Sequence, residues 1–348
     1  MQQTHSEKDT ASIPITLLTG FLGSGKTTVL NHVLHQARNT LVVVNEFGET
    51  GLDHLLVSYA NPEDVTVELN NGCVCCSIRR DLVRTLRDLP WRFSRSGKRF
   101  FDRVVLETTG LADPAQIIHT LFADQKLNRL FRVDSVITTV DAAHAADILD
   151  TYPDAVKQVA LADRLLLTHC DRVEAKQLAD LRRQLRAINP TALPIRVDHG
   201  RIQPDEVLSM NLFHPDQRRL QIDDWLSDST VPSHQTDTSD NHDHAHDHNH
   251  DHTIASYSFN IERPVSQEVF NSWWQTLSEF MGRDILRLKG LVNIVGRDGP
   301  VVIHGVQHAL YPPEELANWP SDDHRTRLVF ITRERSRSTI AQALAPLQ

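Results

Sequence analysis

A glycine-rich segment, Gly20–Thr27, carries the clearest chemical signature in this chain of 348 residues. Its sequence, GFLGSGKT, matches the GxxxxGKS/T pattern of phosphate-binding loops, with an apolar run before it and a helical pattern after it. Backbone N–H groups of such a loop, together with the positive end of the helix, bind phosphate oxygens. We expect Lys26 to contact the β- and γ-phosphates of a nucleotide and Thr27 to bind Mg²⁺. The nucleotide-binding residues predicted in this segment and just after it are Gly20, Gly23, Ser24, Gly25, Lys26, Thr27 and Thr28.

A second acidic motif follows further along the chain. Glu107 ends an apolar run and is followed by Thr-Thr-Gly, so that Gly110 lies three residues beyond the carboxylate. P-loop enzymes keep an acidic residue near the magnesium ion and a glycine that can approach the γ-phosphate. We therefore predict Lys26, Thr27 and Glu107 as catalytic residues and Gly110 as a nucleotide contact.

The third part of the predicted nucleotide site selects the base. Asp171 closes the sequence Thr168-His-Cys-Asp, at the place where GTPases carry an NKxD motif. Its carboxylate can accept hydrogen bonds from guanine that adenine cannot donate, and such a site rejects analogues that leave it unpaired. Thr168 and His169 stand where Asn and Lys are usual, so GTP is the first choice and ATP stays open.

Three cysteines, Cys73, Cys75 and Cys76, form a candidate metal site. The Asn-Gly pair before them favours a tight turn that lets the thiolates converge on one ion. Three thiolates suit Zn²⁺, with Co²⁺ or Ni²⁺ as alternatives, and leave a fourth coordination position open for release. The alternative interpretation is three buried structural thiols.

A histidine-rich tract lies near residue 250. Its imidazoles alternate with Asp, Ala or Asn, and such a flexible segment offers several weak, exchangeable metal sites. A merely solvated spacer is the alternative. The accessory metal ligands predicted here are His242, His244, His246, His248, His250 and His252.

Apolar, β-branched runs alternate with helical patterns up to about residue 200, which predicts an α/β fold with a largely parallel sheet. In such sheets, functional residues lie at the carboxyl ends of the strands. Helical patterns include Thr27–Ala37 and Ala175–Ile188. The predicted strands are Ile15–Thr19, Leu41–Asn45, Val65–Leu69, Arg103–Glu107, Ser135–Val140, Arg164–Thr168 and Pro194–Val197.

The remaining chain predicts a smaller C-terminal α+β domain with an antiparallel sheet. Its predicted strands are Ser256–Ile261, Leu291–Val295, Pro300–Gly305 and Arg327–Thr332, and its predicted helices are Ser266–Phe280 and Ser338–Leu347. The predicted boundaries are a disordered tail at 1–12, a P-loop GTPase domain with the cysteine motif at 13–222, a His/Asp-rich flexible linker at 223–253 and the C-terminal domain at 254–348.

The composition of the chain argues against several classes of protein. The formal net charge of −9 disfavours nucleic acid as a partner. No apolar run approaches the roughly 18 residues needed to span a bilayer, and the first residues lack a signal-peptide pattern, so we expect a cytoplasmic protein without membrane partners. Only four cysteines occur, and their clustering is typical of metal binding rather than of a disulfide framework.

Together these motifs resemble the CobW-type GTPases, the family of the zinc-chaperone GTPases and bacterial YjiA. The resemblance covers the chain from about residue 13 to the C-terminus. It implies a P-loop NTPase fold with the family's C-terminal domain, and GTP hydrolysis coupled to metal delivery. The matching stretches are Thr19–Thr28, Asn45–Glu49, Asn71–Cys76, Glu107–Pro114, Val140–Ala142, Leu286–Gly290 and Arg327–Ile331.

The resemblance also implies roles for further residues. Glu49, in a switch segment near the γ-phosphate, is an additional metal ligand, and His144 is another candidate ligand. His199 is expected to close over the base. The implied partner is an apo-metalloenzyme client, and a homodimer stays open.

These observations lead to one functional prediction and two alternatives. The prediction is a GTP-hydrolysing metallochaperone that transfers zinc, or a similar divalent metal, to client proteins. The alternatives are a metal buffer or store with a regulatory nucleotide site, and an ATP-using metal insertase or small-molecule kinase.

Overall fold

The computed structural model describes two compact units. The described residues are 12–37, 39–45, 54–59, 67–70, 78–95, 98–208, 254–280, 282 and 284–348. The first unit contains the described residues up to 185 together with 192–208, and the second contains 186–191 together with those from 254 onward. Within these ranges, no helix is long and apolar enough to cross a bilayer. Glu49, the three clustered cysteines, the tail up to residue 11 and the linker 223–253 with its histidines lie outside the described residues.

The first unit is built on a largely parallel sheet, in which one of the described strands near the edge runs antiparallel to the others. Its described strands are β1 (Ile13–Gly20), β2 (Thr40–Asn45), β3 (His54–Tyr59), β4 (Val67–Asn70), β5 (Ser94–Arg95), β6 (Lys98–Arg99), β7 (Arg103–Glu107), β8 (Phe131–Asp141), β9 (Arg164–Thr168) and β10 (Leu193–Arg196). Eight of them form one sheet in the order β10-β9-β8-β1-β7-β2-β3-β4, and β5 pairs with β6. The β2–β3 and β3–β4 pairs are antiparallel and the other pairs of this sheet are parallel, which confirms the predicted fold class.

The central strands form because their Ile, Leu and Val side chains are buried on both faces of the sheet. In β1 every residue except Pro14 is buried, and in β7 only Arg103 is partly exposed. Since β1 lies between β7 and β8, the glycine-rich loop leaves the sheet at the middle of its carboxyl edge.

Helices follow most of the strands of the first unit. They are α1 (Lys26–Gln36), α2 (Ile78–Arg92), α3 (Pro114–Ala123), α4 (Gln125–Leu130), α5 (Ala145–Thr151), α6 (Pro153–Leu161), α7 (Ala175–Ile188) and α8 (Pro204–Val207). The start of α3 shows why such a boundary falls where it does. Asp113 accepts a hydrogen bond from Ala115 N at 2.9 Å, and Pro114 occupies the first turn, where its missing N–H costs nothing.

The described residues of the second unit form an antiparallel sheet with two α-helices. Its elements are β11 (Ile254–Ile261), α9 (Gln267–Phe280), β12 (Ile285–Val292), β13 (Val301–Val306), β14 (Ala309–Leu310), β15 (Glu314–Glu315), β16 (Thr326–Arg333) and α10 (Arg337–Leu344). The strand order is β11-β16-β12-β13-β14, with β15 also paired to β13. Phe270, Trp273 and Leu277 recur at helical spacing and form an apolar stripe on α9, which is buried against Phe330 and other core residues of the sheet.

One strand of this unit was predicted with the wrong bounds, and several strands of both units were not predicted. The strand predicted at Leu291–Val295 is β12, which begins at Ile285 and ends at Val292. Arg287 and Lys289 interrupt the apolar pattern, but both are buried in the sheet, so their charge does not end the strand. The strands not predicted are β3, whose run is short and lacks strict alternation, and the two-residue strands β5, β6, β14 and β15.

Candidate functional site

The glycine-rich loop joins β1 to α1 with a backbone that only glycine adopts readily. Gly20, Gly23 and Gly25 have φ angles of +142°, +77° and +88°. A Cβ atom on Gly20 would lie 2.2 Å from Thr139 Oγ1, so the loop also needs glycine there for space. Ser24 Oγ lies 2.6 Å from Thr139 Oγ1, and this contact ties the loop to the neighbouring strand β8.

Lys26 lies at the centre of this loop. Its Nζ donates hydrogen bonds to Gly20 O at 2.9 Å and to Phe21 O at 3.1 Å. The side chain is buried at the start of α1, where the helix already carries partial positive charge. In this position, a bound phosphate could accept the hydrogen bonds that the Lys26 ammonium group donates to the two carbonyl groups.

Thr27 and Glu107 form the oxygen pair beside the loop. Thr27 Oγ1 donates to Glu107 Oε1 at 2.9 Å, although the residues are 80 positions apart. The parallel pairing of β1 with β7, which aligns Leu18 with Glu107, brings them together. A hydroxyl and a carboxylate are the hard oxygen donors that Mg²⁺ prefers, so the donor set fits this ion.

The segment after Glu107 lies directly against the phosphate-binding loop. Thr108 N donates to Leu18 O at 2.9 Å, and Thr108 Oγ1 donates to Thr19 Oγ1 at 2.9 Å. At Gly110, an added Cβ would lie only 2.5 Å from Leu22 N. A residue with a side chain would therefore not fit here without a shift, while the approach of Gly110 to the γ-phosphate stays a prediction.

The predicted base segment is attached to the same loop. Thr168 Oγ1 donates to Ser24 O at 2.9 Å, and it lies beside Gly25 as well. His169 has a left-handed backbone, with φ of +51°, and Asp171 lies exposed in the 3₁₀ turn Cys170–Arg172 that follows. Thr168 therefore connects the predicted base-binding segment to the phosphate-binding loop.

His199 lies in a second turn beside α1. It is exposed with φ of +52°, and Gly200 follows with φ of +78°. A Cβ on Gly200 would lie 2.8 Å from Thr28 O, so this turn is packed on the first helical turn after the phosphate loop. The structure therefore brings His199 and Thr28 into one neighbourhood.

Asp141 carries a negative charge at the end of β8. Burial by itself raises its pKa, but hydrogen bonds from His144 Nδ1 and Ala143 N, together with the nearby His169, hold the pKa below its usual value. The distances are 2.9 Å from His144 Nδ1 to Oδ2 and 3.1 Å from His169 Nδ1 to Oδ1. His144, predicted as a metal ligand, is exposed and has one ring nitrogen engaged by this carboxylate.

The metal prediction falls mainly outside the described residues. Within them, no group of three or more His, Cys, Asp or Glu side chains is arranged to hold a metal ion. The fourth cysteine, Cys170, is buried, and burial raises the pKa of its thiol, which suits a structural role. However, β2 and β4 both run parallel to β1 and end at its carboxyl edge, and residues 46–49 and 71–76 follow them directly.

Two polar residues of the site are missed by sequence reasoning. Thr139 contacts Ser24, and Gln158 of α6 donates hydrogen bonds to the carbonyl groups of Gly110 and Ala112. Neither belongs to a local motif. A signal exists for Gln158, which lies on the otherwise apolar buried side of its helix.

A parallel sheet whose central strand ends in this glycine-rich loop, with a threonine–glutamate pair beside it, defines a P-loop nucleotide-binding protein. The comparison with known families narrows the class. Residues 14–196 match the family described as CobW/HypB/UreG, nucleotide-binding domain, and residues 254–347 match the cobalamin synthesis protein cobW C-terminal domain. The chain belongs to the CobW/HypB/UreG family, which confirms the resemblance.

Relatives match along nearly the whole chain. The zinc chaperone YjiA of Escherichia coli is 32% identical over 97% of this chain and 99% of its own length. The zinc chaperone CobW of Pseudomonas aeruginosa is 32% identical over 97% of this chain and 92% of its own length. A crystal structure of the Zn(II)-bound YjiA GTPase from E. coli superposes with a TM-score of 0.65 at 28% identity, covering 97% of this chain and 99% of that one.

Proposed function

We propose that this chain is a GTPase that binds zinc at Cys73, Cys75 and Cys76 and transfers it to an apo-metalloenzyme client. The single observation that carries the proposal is the Thr27–Glu107 contact at the carboxyl edge where β2 and β4 also end. The residues that follow β4 include the three cysteines. Nucleotide chemistry and thiolate ligands are thus assigned to one edge of one sheet.

The residues of the loop divide the nucleotide chemistry between them. Lys26 exchanges its two carbonyl contacts for β- and γ-phosphate oxygens, and its point charge offsets the negative charge that develops on the transferred phosphoryl group. Thr27 and Glu107 would hold Mg²⁺, which would supply positive charge to neutralise the phosphate oxygens. Asp171 selects guanine over adenine, because only guanine offers two N–H donors to its carboxylate.

The metal is the cargo, and the cysteines are its proposed ligands. Thiolates favour Zn²⁺ over Mg²⁺ or Mn²⁺, while Co²⁺ and Ni²⁺ stay as alternatives because affinity order alone does not exclude them. Glu49 follows β2 in sequence and is the proposed additional ligand. Relatives named as zinc chaperones and as zinc-regulated GTPase metalloprotein activators support zinc and a protein client.

Nucleotide state changes metal affinity in this proposal. Contacts from Gly110 and from the residues after β2 to the γ-phosphate hold one arrangement of the sheet edge, and hydrolysis removes them. Because the ligands follow strands of that edge, zinc affinity differs between the GTP and GDP states, which is a coupling free energy between two sites. We place the protein in the cytoplasm, with neither nucleic acid nor membrane as partner.

A zinc competition titration tests this coupling. A chromogenic chelator would compete for zinc with the protein bound to GDP and, separately, to a non-hydrolysable GTP analogue. We expect different zinc dissociation constants in the two states, and equal values would contradict the coupling. The Cys75→Ser/Cys76→Ser double variant should lose tight zinc while still binding GTP, whereas Lys26→Ala should keep one tight zinc and lose hydrolysis.

A metal buffer is the second candidate, and the histidine tract at 242–252 is the observation that favours it. Deleting Asn241–His252 separates the two functions. If zinc stoichiometry falls while transfer from the cysteine site to a competing chelator persists, the tract only collects metal. If the tight site itself disappears with the deletion, buffering is the main activity.

Parallel turnover assays with GTP and ATP test the remaining alternative, an ATP-using insertase.

A further inference from the structure

A buried glutamine of α6 is attached to the segment that follows Glu107. Gln158 is 1% exposed, and its side-chain Nε2 donates to Gly110 O at 3.1 Å and to Ala112 O at 3.0 Å. Both N–H groups of the amide are used in these contacts. Its own backbone carbonyl accepts a hydrogen bond from Thr138 Oγ1 of β8 at 3.0 Å, so the glutamine is itself held on the sheet.

The residue before it makes a second attachment to the same segment. Lys157 Nζ forms an ion pair with Asp113 Oδ2, and both side chains are mostly buried. Asp113 Oδ1 meanwhile caps α3 through Ala115 N. The four residues from Gly110 to Asp113 are therefore held by α6 at three points.

The other side of this segment faces the phosphate-binding loop. The position of a Cβ on Gly110 is only 2.5 Å from Leu22 N, so Gly110 has no free space toward the loop. The segment lies between a backbone that binds phosphates and a helix that donates fixed hydrogen bonds. A shift of the Gly110 peptide away from α6 must lengthen its hydrogen bond from Gln158, and Leu22 leaves little space on the side of the loop.

We propose that Gln158 is the positioning residue that holds the Gly110 backbone at the γ-phosphate and thereby sets the preference for GTP over GDP. This inference rests on the nucleotide hydrolysis proposed above. The physical reason is specific to an amide: it supplies two donors to two carbonyl groups at fixed separation and brings no charge into the core. Lys157 supports the same segment through its ion pair with Asp113.

Affinity measurements with two nucleotides test the role. Gln158→Met keeps a similar volume and removes both donors, so we expect affinity for a non-hydrolysable GTP analogue to fall about 5- to 30-fold. Affinity for GDP should change by less than about 3-fold, because GDP has no γ-phosphate to position. The turnover number for GTP should fall more than KM rises. Exposed Gln116, changed to Met in the same way, is the matched control and should behave as wild type.

A second variant covers the case in which Gln158→Met does not fold. Lys157→Met removes the ion pair with Asp113 and leaves the core intact, and it should also lower GTP-analogue affinity selectively, by a smaller factor. Equal losses of GDP and GTP-analogue affinity would show general support of the fold and overturn the inference. Wild-type affinities for both nucleotides in either folded variant would overturn it too. Absence of GTP turnover in the wild-type protein would instead refute the proposed function, and the inference with it.

Discussion

Replacing Gly110 with alanine tests how close the segment after Glu107 must lie to the phosphate-binding loop. The new Cβ atom would lie 2.5 Å from Leu22 N and 2.7 Å from Leu22 Cα. Non-bonded heavy atoms ordinarily approach to about 3.5 Å, so one backbone must move by roughly 1 Å. The phosphate loop resists that movement, because Lys26 Nζ and Ser24 Oγ both donate to the carbonyl group of Phe21 next to Leu22.

A displacement of this size at the reacting phosphate is expected to lower GTP turnover by roughly 100-fold. That factor corresponds to about 2.7 kcal/mol in activation free energy. The affinity for GDP should change by less than about 3-fold, since the clash pushes the Gly110 segment away and leaves the contacts of Lys26 available. Single-turnover hydrolysis of GTP and a fluorescence titration with labelled GDP measure the two quantities.

Gly282→Ala is the matched control for this substitution. Among the described residues, the only atom within 4 Å of a Cβ at that position is His308 Cε1, at 3.9 Å, which is an ordinary contact. The control should hydrolyse GTP at the wild-type rate. A wild-type rate in Gly110→Ala would refute the reasoning that the segment must lie against Leu22 during hydrolysis. A large loss of GDP affinity would show that the phosphate loop had moved instead.

Three further predictions concern single side chains. Thr27→Ala should raise the Mg²⁺ concentration for half-maximal turnover by at least about 10-fold, measured by hydrolysis assays across Mg²⁺ concentrations; an unchanged value would exclude Thr27 as a ligand. Asp171→Asn should weaken GTP binding by roughly 100-fold, because two charge-assisted hydrogen bonds are lost, and should favour xanthosine triphosphate, which offers a carbonyl at the 2-position; competition between the two nucleotides measures this preference. A hydrogen bond from the Arg325 side chain lowers the pKa of Asp323 to about 2, below its ordinary value of 3.8. Its contribution to stability is therefore present above about pH 4 and lost as pH falls toward 2. The difference in urea unfolding free energy between wild type and Asp323→Asn should fall by about half between pH 5 and pH 3, whereas a constant difference would contradict the assigned pKa.

Several features of this protein follow from sequence alone because their physical cause is local. The glycine-rich loop is a continuous stretch whose backbone conformation and helix dipole depend on neighbouring residues, so Lys26 and Thr27 could be predicted as phosphate-site residues from the sequence. The strands β1, β7 and β9 were predicted within a few residues, since buried parallel strands are short apolar runs between helices. The apolar residues at helical spacing between Phe270 and Leu277 likewise indicate which side of α9 is buried.

Other features depended on how the strands are ordered, which no local pattern specifies. Thr27 meets Glu107 across 80 residues, and Thr168 meets Ser24 across 144, because β7 and β8 flank β1 in the sheet and β9 lies beyond β8. In the sequence, Gln158 is only one polar residue on a helix. The strand order places α6 beside Gly110, and there the Gln158 side chain donates a hydrogen bond to the Gly110 carbonyl group. The boundary of β12 was also decided by tertiary structure, since charged side chains continue a strand once the surrounding sheet buries them. The sequence therefore predicted which residues carry the phosphate chemistry. Tertiary structure decided which distant side chains hold those residues in position, because periodicity indicates which residues are buried and not which residues they contact.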